Sequence, residues 1–330
     1  MLLREHERSF LADRSEILTV LHHNAELTRQ GKGPELALVG QQRIGKTMLA
    51  QRFADDLRER HSPLVPVYLD VARNLFVPSV FAIRLLASIS RSFIEADGRQ
   101  VEQSGGVLNA ASSNIHVMER IMQSATSPLS DQFQVMPVPP FDRAATAELC
   151  RKSLPERLLT QETVARLFEF TSGHPFYLNC LTTAMRRLDA DRVHLWNKPG
   201  DDVLDRAIYE EILTQEGRIC QYCEHRVEMA LAEARGRTTL RSVLLVLAKE
   251  GQANLSQIGA RLKRAPGEVH SYLKRLADID LVGREGRRYY ITDPIVALWV
   301  SFTMLERTPE YGGYKDAIQR YQDWLAEQTA

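Results

Sequence analysis

The stretch "LALVGQQRIGKT", residues 36–47, restricts what this chain can fold into more than any other part of it. An apolar run ends at Gly40, and Gly45, Lys46 and Thr47 follow at the spacing G-x-x-x-x-G-K-[ST]. Glycines at these positions let the backbone curl until successive N–H groups point inward at phosphate oxygens. A helix opening at Lys46 adds the positive end of its dipole. In such a loop the lysine reaches the outer phosphates and the Thr47 hydroxyl ligates Mg²⁺. The next residues, "KTMLAQRFADDLRER", place Leu49, Phe53 and Leu57 at helical spacing, so the motif sits between a buried strand and an amphipathic helix. The expectation is a nucleotide cradle made of Gly40, Gln41, Gln42, Arg43, Ile44, Gly45, Lys46 and Thr47.

The surroundings fit an α/β class with a parallel sheet. Residues 10–29 read as an opening helix, with Leu11, Ile17, Leu18, Leu21 and Leu27 making one apolar face. "PLVPVYLDVA" (63–72) reads as a second strand and 78–95 as a further helix. Alternating strands and helices argue a P-loop NTPase core with a helix-covered parallel sheet. From Phe141 to Ala234 the pattern is almost wholly helical, and the last third reads as three helices and two short strands around Gly286. The domains expected are a nucleotide-binding core over 1–140, a helical lid over 141–235, a winged helix over 236–300 and a helical tail over 301–330.

A loop that hydrolyses its triphosphate needs a carboxylate at the end of a later strand, to hold Mg²⁺ and orient water. "VPVYLD" ends at Asp70, but this is the first strand after the loop's own helix. The next apolar stretch, "GGVLNAASS" (105–113), carries no Asp or Glu, and beyond it the sequence reads as helical until "ADIDLV" (277–282). Either Asp70 substitutes, or the acid-bearing strand is lost. The room between Asp70 and "GGVLN" favours loss, since a helix already fills much of it. The expected outcome is binding of nucleotide with weak or absent turnover.

These motifs resemble those of the STAND-type and archaeal-type P-loop ATPases, relatives of the AAA proteins. "LADRSEILTVL" (11–21) is similar to the family's entry helix, with Arg14 and Glu16 matching and Asp13 where glycine is usual. "SSNIHVMERIMQSATSPLSDQF" (112–133) is similar to the segment after the sensor strand, and the resemblance places Ser112 and Ser113 near the γ-phosphate. Ser130, Asp131 and Gln132 stand where an arginine is usual. "SGHPFYL" (172–178) resembles the G-x-P motif, which implies that Gly173 and Pro175 contact the adenine and link the lid to the nucleotide. The resemblance implies ATP as the nucleotide.

Residues 238–292 read as a winged helix: Gly251 closes its first helix, Asn254 caps the second and Pro266 opens the third. Between Arg235 and Tyr290 stand twelve Lys/Arg against five Asp/Glu, although the chain balances 42 basic with 42 acidic residues. Such local asymmetry is an electrostatic footprint of nucleic-acid binding. His270, Ser271, Lys274 and Arg275 are the candidates to face a major groove of double-stranded DNA, and Arg284, Arg287 and Arg288 to meet phosphates. The alternative is that the basic face docks a protein partner. A third reading is a DNA-binding regulator whose ATPase core has decayed into scaffold. An oligomer is compatible with all three.

Four cysteines in 330 residues suggest thiols of a reducing compartment, and no apolar run has membrane-spanning length, so the expected location is the cytoplasm. "CQYC" (220–223) lies in a helical pattern and reads as core cysteines. Asp201 and Asp202 read as a helix-capping turn, and Glu210 and Glu211 as a solvated helix face.

Overall fold

The computed structural model describes residues 14–60, 64–67, 109–112, 133–195, 202–232 and 236–303, together with Ser88 and Ser92. The chain divides into two compact units, Met1–Pro139 and Pro140–Ala330.

In the first unit, helix α1 (Ser15–Arg29) precedes strand β1 (Glu35–Val39), and helix α2 (Lys46–Glu59) follows it. Strands β2 (Asn109–Ser112) and β3 (Phe133–Pro137) flank β1, giving a parallel order β2-β1-β3. Leu36 to Val39 are all buried, as a central parallel strand covered on both faces requires. Leu21 of α1, Leu36 and Leu38 of β1, Ile44, Leu49 and Val138 form one core cluster, with Ile17, Leu18 and Phe53 packed on it. Ile17, Leu18 and Leu21 of the apolar face read from the opening helix thus join the core, while Leu11 lies outside the described residues. Val39 lies opposite both Ser112 and Pro137, so the carboxyl ends of the three strands share one edge.

Two readings of this region change. Residues 133–137 are a strand, where the sequence between 113 and 277 reads as helical. "FQVMP" is short and gains its strand identity by pairing with β1, a contact that local pattern does not encode. The strand expected over 63–72 is not present at residues 64–67. Pro66 offers no N–H to a ladder there. The remainder of that stretch, including Asp70, lies outside the described residues, as do most of 78–95.

The second unit opens with α3 (Arg143–Ser153), a 3₁₀ turn at Glu156–Leu158, and α4 (Gln161–Thr171). It continues with α5 (Pro175–Leu195), α6 (Val203–Leu213) and α7 (Arg218–Ala232). Asp142, Thr160 and Asp202 cap α3, α4 and α6 by accepting a backbone N–H of the first turn. Glu211 is buried, not part of a solvated face. Its carboxylate accepts the Arg218 N–H at 3.0 Å, at the start of α7. Cys150, Cys180, Cys220 and Cys223 are all buried thiols.

Then come α8 (Arg237–Glu250), the short strand β4 (Gln252–Asn254), α9 (Leu255–Leu262) and α10 (Pro266–Asp278). The hairpin β5 (Val282–Glu285) and β6 (Arg288–Ile291) turns at Gly286, and α11 (Pro294–Thr303) ends the described chain. Asn254 and Gln257 form a capping box on α9, and Pro266 is the first residue of α10. The sequence missed β4, whose three residues complete the antiparallel order β4-β6-β5. No helix among the described residues is long and apolar enough to cross a membrane.

Tyr177 and Tyr222 are buried in this unit. Burial pushes the Tyr222 phenol up to about 12 against the pull of Arg226, and burial beside Asp293 pushes Tyr177 well above the usual range. A folded-state pKa above the unfolded value of about 10 keeps the folded chain protonated while the unfolded chain ionises. Stability should hold up to about pH 10. Between about pH 10 and pH 12 it should fall by about 1.4 kcal/mol per pH unit for each such phenol. Chemical denaturation at stepped alkaline pH checks this, and Tyr222→Phe should flatten the slope.

Candidate functional site

The loop after β1 sits at the shared carboxyl edge of the sheet, where open α/β sheets bind ligands. Its backbone is left-handed at Arg43 (φ 61°) and at Gly45 (φ 102°). Arg43 holds a conformation that costs a side-chain-bearing residue on the order of 1 kcal/mol, which marks a loop whose shape is imposed by its surroundings. Gly45 is also the N-cap of α2, and a β-carbon added there would meet nothing within 4 Å. Among the described residues, the space beside Gly45 is open.

Gly40 is fixed for a different reason. A β-carbon at this position would lie 2.6 Å from the carbonyl oxygen of Val138. The Val138 N–H donates to Val39 O at 2.7 Å, so the chain leaving β3 presses directly on the start of the loop. Ile44 points down into the core and is 1% exposed, which anchors the middle of the curl. Gln41, Gln42, Arg43 and Thr47 are exposed. Lys46 is largely buried, and its Nζ donates to Gly40 O at 2.9 Å and Gln41 O at 2.7 Å, across the mouth of the loop.

Arg14 completes the setting. Its side chain is buried just before α1, and Nη2 donates to Pro139 O at 2.8 Å and to Ile44 O at 3.4 Å. One guanidinium thus ties the loop to the segment leaving β3. Arg14 could be matched in the sequence only through resemblance, and nothing in its spacing foretold these partners 30 and 125 residues away.

The cradle fits a triphosphate and Mg²⁺. Backbone curl, an uncapped helix start, a lysine at the mouth and an exposed Thr47 hydroxyl at the first turn are the donors such a group requires. No carboxylate stands on either strand beside β1: β2 is Asn-Ala-Ala-Ser and β3 is Phe-Gln-Val-Met-Pro. Ser112 ends β2 opposite Val39, one residue before the loop's first glycine, whereas Ser113, Ser130, Asp131 and Gln132 lie outside the described residues.

Gly173 and Pro175 belong to the second unit. Gly173 has φ +70°, and a β-carbon there would fall 1.9 Å from Phe141 O. Its carbonyl accepts the Phe141 N–H at 2.9 Å, and Pro175 begins α5. On α10, Val269, Leu273 and Leu276 are buried while His270, Ser271, Lys274 and Arg275 are exposed together on the opposite face. Arg284, Arg287 and Arg288 are exposed on the hairpin. Arg284 also donates to Gly286 O at 2.9 Å and lies 5.5 Å from the Tyr289 ring. Among the described residues, no group of three or more His, Cys, Asp or Glu could hold a metal ion. The cysteines of "CQYC" pack in the core, where Trp299 Nε1 donates to Cys220 Sγ at 3.2 Å.

No family model matches the chain, and no curated protein matches it. Among solved structures it is similar to the Walker-type ATPase PABY2304 of Pyrococcus abyssi. The identity is 17% and the TM-score 0.55, over 88% of this chain and 95% of that one. It also matches the Aeropyrum pernix ORC1 protein solved in complex with DNA, at 15% identity and a TM-score of 0.48, over 92% and 95% of the two chains. The fold is that of a P-loop ATPase.

Arg14→Ala should remove both bonds to the loop and to Pro139 and lower stability by about 1–3 kcal/mol, the cost of stranding buried polar groups. Arg14→Lys should recover only part of this, because an ammonium on a straight stem does not reproduce the fork. Urea unfolding of the three proteins tests it.

Proposed function

We propose that the chain binds ATP with Mg²⁺ at Gly40–Thr47 and works as a nucleotide-dependent switch with weak or absent hydrolysis. The observation that carries this reading is the curled, glycine-shaped loop with Lys46 at its mouth and Thr47 exposed on the first turn of α2. Backbone N–H groups and the helix dipole would hold the phosphates, Lys46 would meet the outer ones, and Thr47 would hold the metal. The bound metal would neutralise phosphate charge. Weak turnover is inferred from the sequence, where the apolar stretch 105–113 after Asp70 carries no Asp or Glu. The rival reading, a working ATPase, would need Asp70 or a residue supplied in trans.

The switch would act through the helical lid. The family resemblance assigns Gly173 and Pro175 to the adenine, and a ligand shifts a conformational equilibrium only through contacts that differ between the two states. Calorimetry with ATP and a non-hydrolysable analogue, with and without Mg²⁺, should show binding that Lys46→Ala weakens at least tenfold. Steady-state phosphate release should stay far below about 1 s⁻¹, the low end of ordinary turnover. Ordinary turnover abolished by Lys46→Ala would establish the ATPase rival instead. An absence of any nucleotide binding would leave the third reading, a scaffold with a decayed core.

A second reading is favoured by the exposed basic face. We infer that residues 236–300 form a winged helix that meets double-stranded DNA, a reading supported by helices α8 to α10 followed by the β5-β6 hairpin. His270, Ser271, Lys274 and Arg275 would approach the major groove, and Arg284, Arg287 and Arg288 the backbone. With three or four phosphate contacts, the logarithm of affinity for a labelled duplex should fall with the logarithm of salt at a slope of about −3 to −4. No binding at low salt would point to a protein partner for this face.

A further inference from the structure

The helical region and the C-terminal module of the second unit meet at a buried carboxylate, Asp293. Tyr177, 2% exposed, lies in the first turn of α5, two residues after Pro175. Its hydroxyl donates to Asp293 Oδ2 at 2.5 Å, across 116 residues of sequence. Asp293 is 8% exposed and stands between the hairpin and α11. Its other oxygen accepts the Ile295 and Val296 N–H groups at 3.1 and 3.4 Å, capping α11.

Arg226 of α7 approaches the same carboxylate, Nη1 lying 3.6 Å from Oδ2. Its Nη2 donates to Asp280 O at 2.9 Å, and the Thr292 hydroxyl donates to that carbonyl at 2.6 Å. Asp280 precedes β5 and Thr292 follows β6, so both ends of the hairpin are fastened at this point. Around it His174, Phe176, Tyr177 and Tyr222 pack ring against ring, with centroids 4.7 to 6.1 Å apart.

Apolar contacts slide, but a buried hydrogen bond to a carboxylate is made or broken, and breaking it leaves a desolvated acceptor. One end of the Tyr177–Asp293 bond is set by the turn that Gly173 and Phe141 shape, and the other by the residue that holds the hairpin and α11 in place.

We propose that the Tyr177–Asp293 hydrogen bond is a conformational latch through which the Gly173–Pro175 turn sets the pose of the hairpin and its basic face. The proposal rests on the nucleotide-switch reading above. Tyr177 is a positioning residue in this device.

Hydrogen exchange of the full chain, with and without Mg²⁺ and ATP, tests it. In the wild type, nucleotide should protect residues 40–47 and also change exchange across 266–291. Tyr177→Phe deletes one hydroxyl and keeps the ring. It should retain the protection at 40–47 while the response across 266–291 shrinks at least fivefold. Asp293→Ser keeps a hydroxyl to cap α11 and removes the second oxygen that faces Tyr177, and should show the same uncoupling, so the test survives if one variant fails to fold. A full response at 266–291 in either folded variant would overturn the latch, as would a wild type protected at 40–47 with no response at 266–291. A wild type showing no protection at 40–47 would overturn the nucleotide reading itself, and the latch with it.

Discussion

The carbonyl oxygen of Val138 approaches Gly40 so closely that a β-carbon would stand 2.6 Å from it, and the first unit is organised around that approach. It lets the segment leaving β3 lie against the start of the phosphate loop and continue the ladder through Val39. The loop is then held on three sides: Val138 presses at Gly40, Ile44 is sunk in the core, and Arg14 grips Ile44 O. A loop so enclosed can carry the left-handed Arg43 without relaxing. Preorganised N–H groups are what a phosphate site needs, because no ordering cost then falls on binding.

The segment after Val138 also reaches the second unit. Val138, Pro139, Pro140 and Phe141 run without a break from the loop's neighbour to the G-x-P turn, where Phe141 meets a second glycine at van der Waals limits. Two consecutive prolines fix their own φ angles, which stiffens a connection of this length. The bond of Arg14 to Pro139 O, at 2.8 Å, is shorter than its bond to Ile44 O.

The basic face of the second unit follows from what is left exposed. On α10 the apolar residues are spent on the core and the polar ones remain, and the hairpin contributes three arginines at its surface. In the same unit, Asp293 gathers a phenol, a guanidinium and two backbone amides. Burying a charge costs much unless it is paired, so that many donors on one carboxylate mark a junction the fold depends on.

Much of this was legible in the sequence because it is local. Glycine spacing, the lysine and the flanking apolar run specify the phosphate loop within a dozen residues. Asn254 and Pro266 announce helix starts through the chemistry of the N-terminus, and the 3.6-residue period of Val269, Leu273 and Leu276 assigns the buried face of α10. What needed the folded chain is contact between distant residues. "FQVMP" becomes a strand only beside β1, Arg14 finds its carbonyls 30 and 125 residues away, and Glu211 turns from an apparent surface acid into a buried cap for α7. Gly40 reads in the sequence as a loop glycine, yet the packing shows it is required by a backbone that arrives from residue 138. Hydrogen bonds and close approaches of this kind depend on coordinates in space, and a linear pattern carries no record of them.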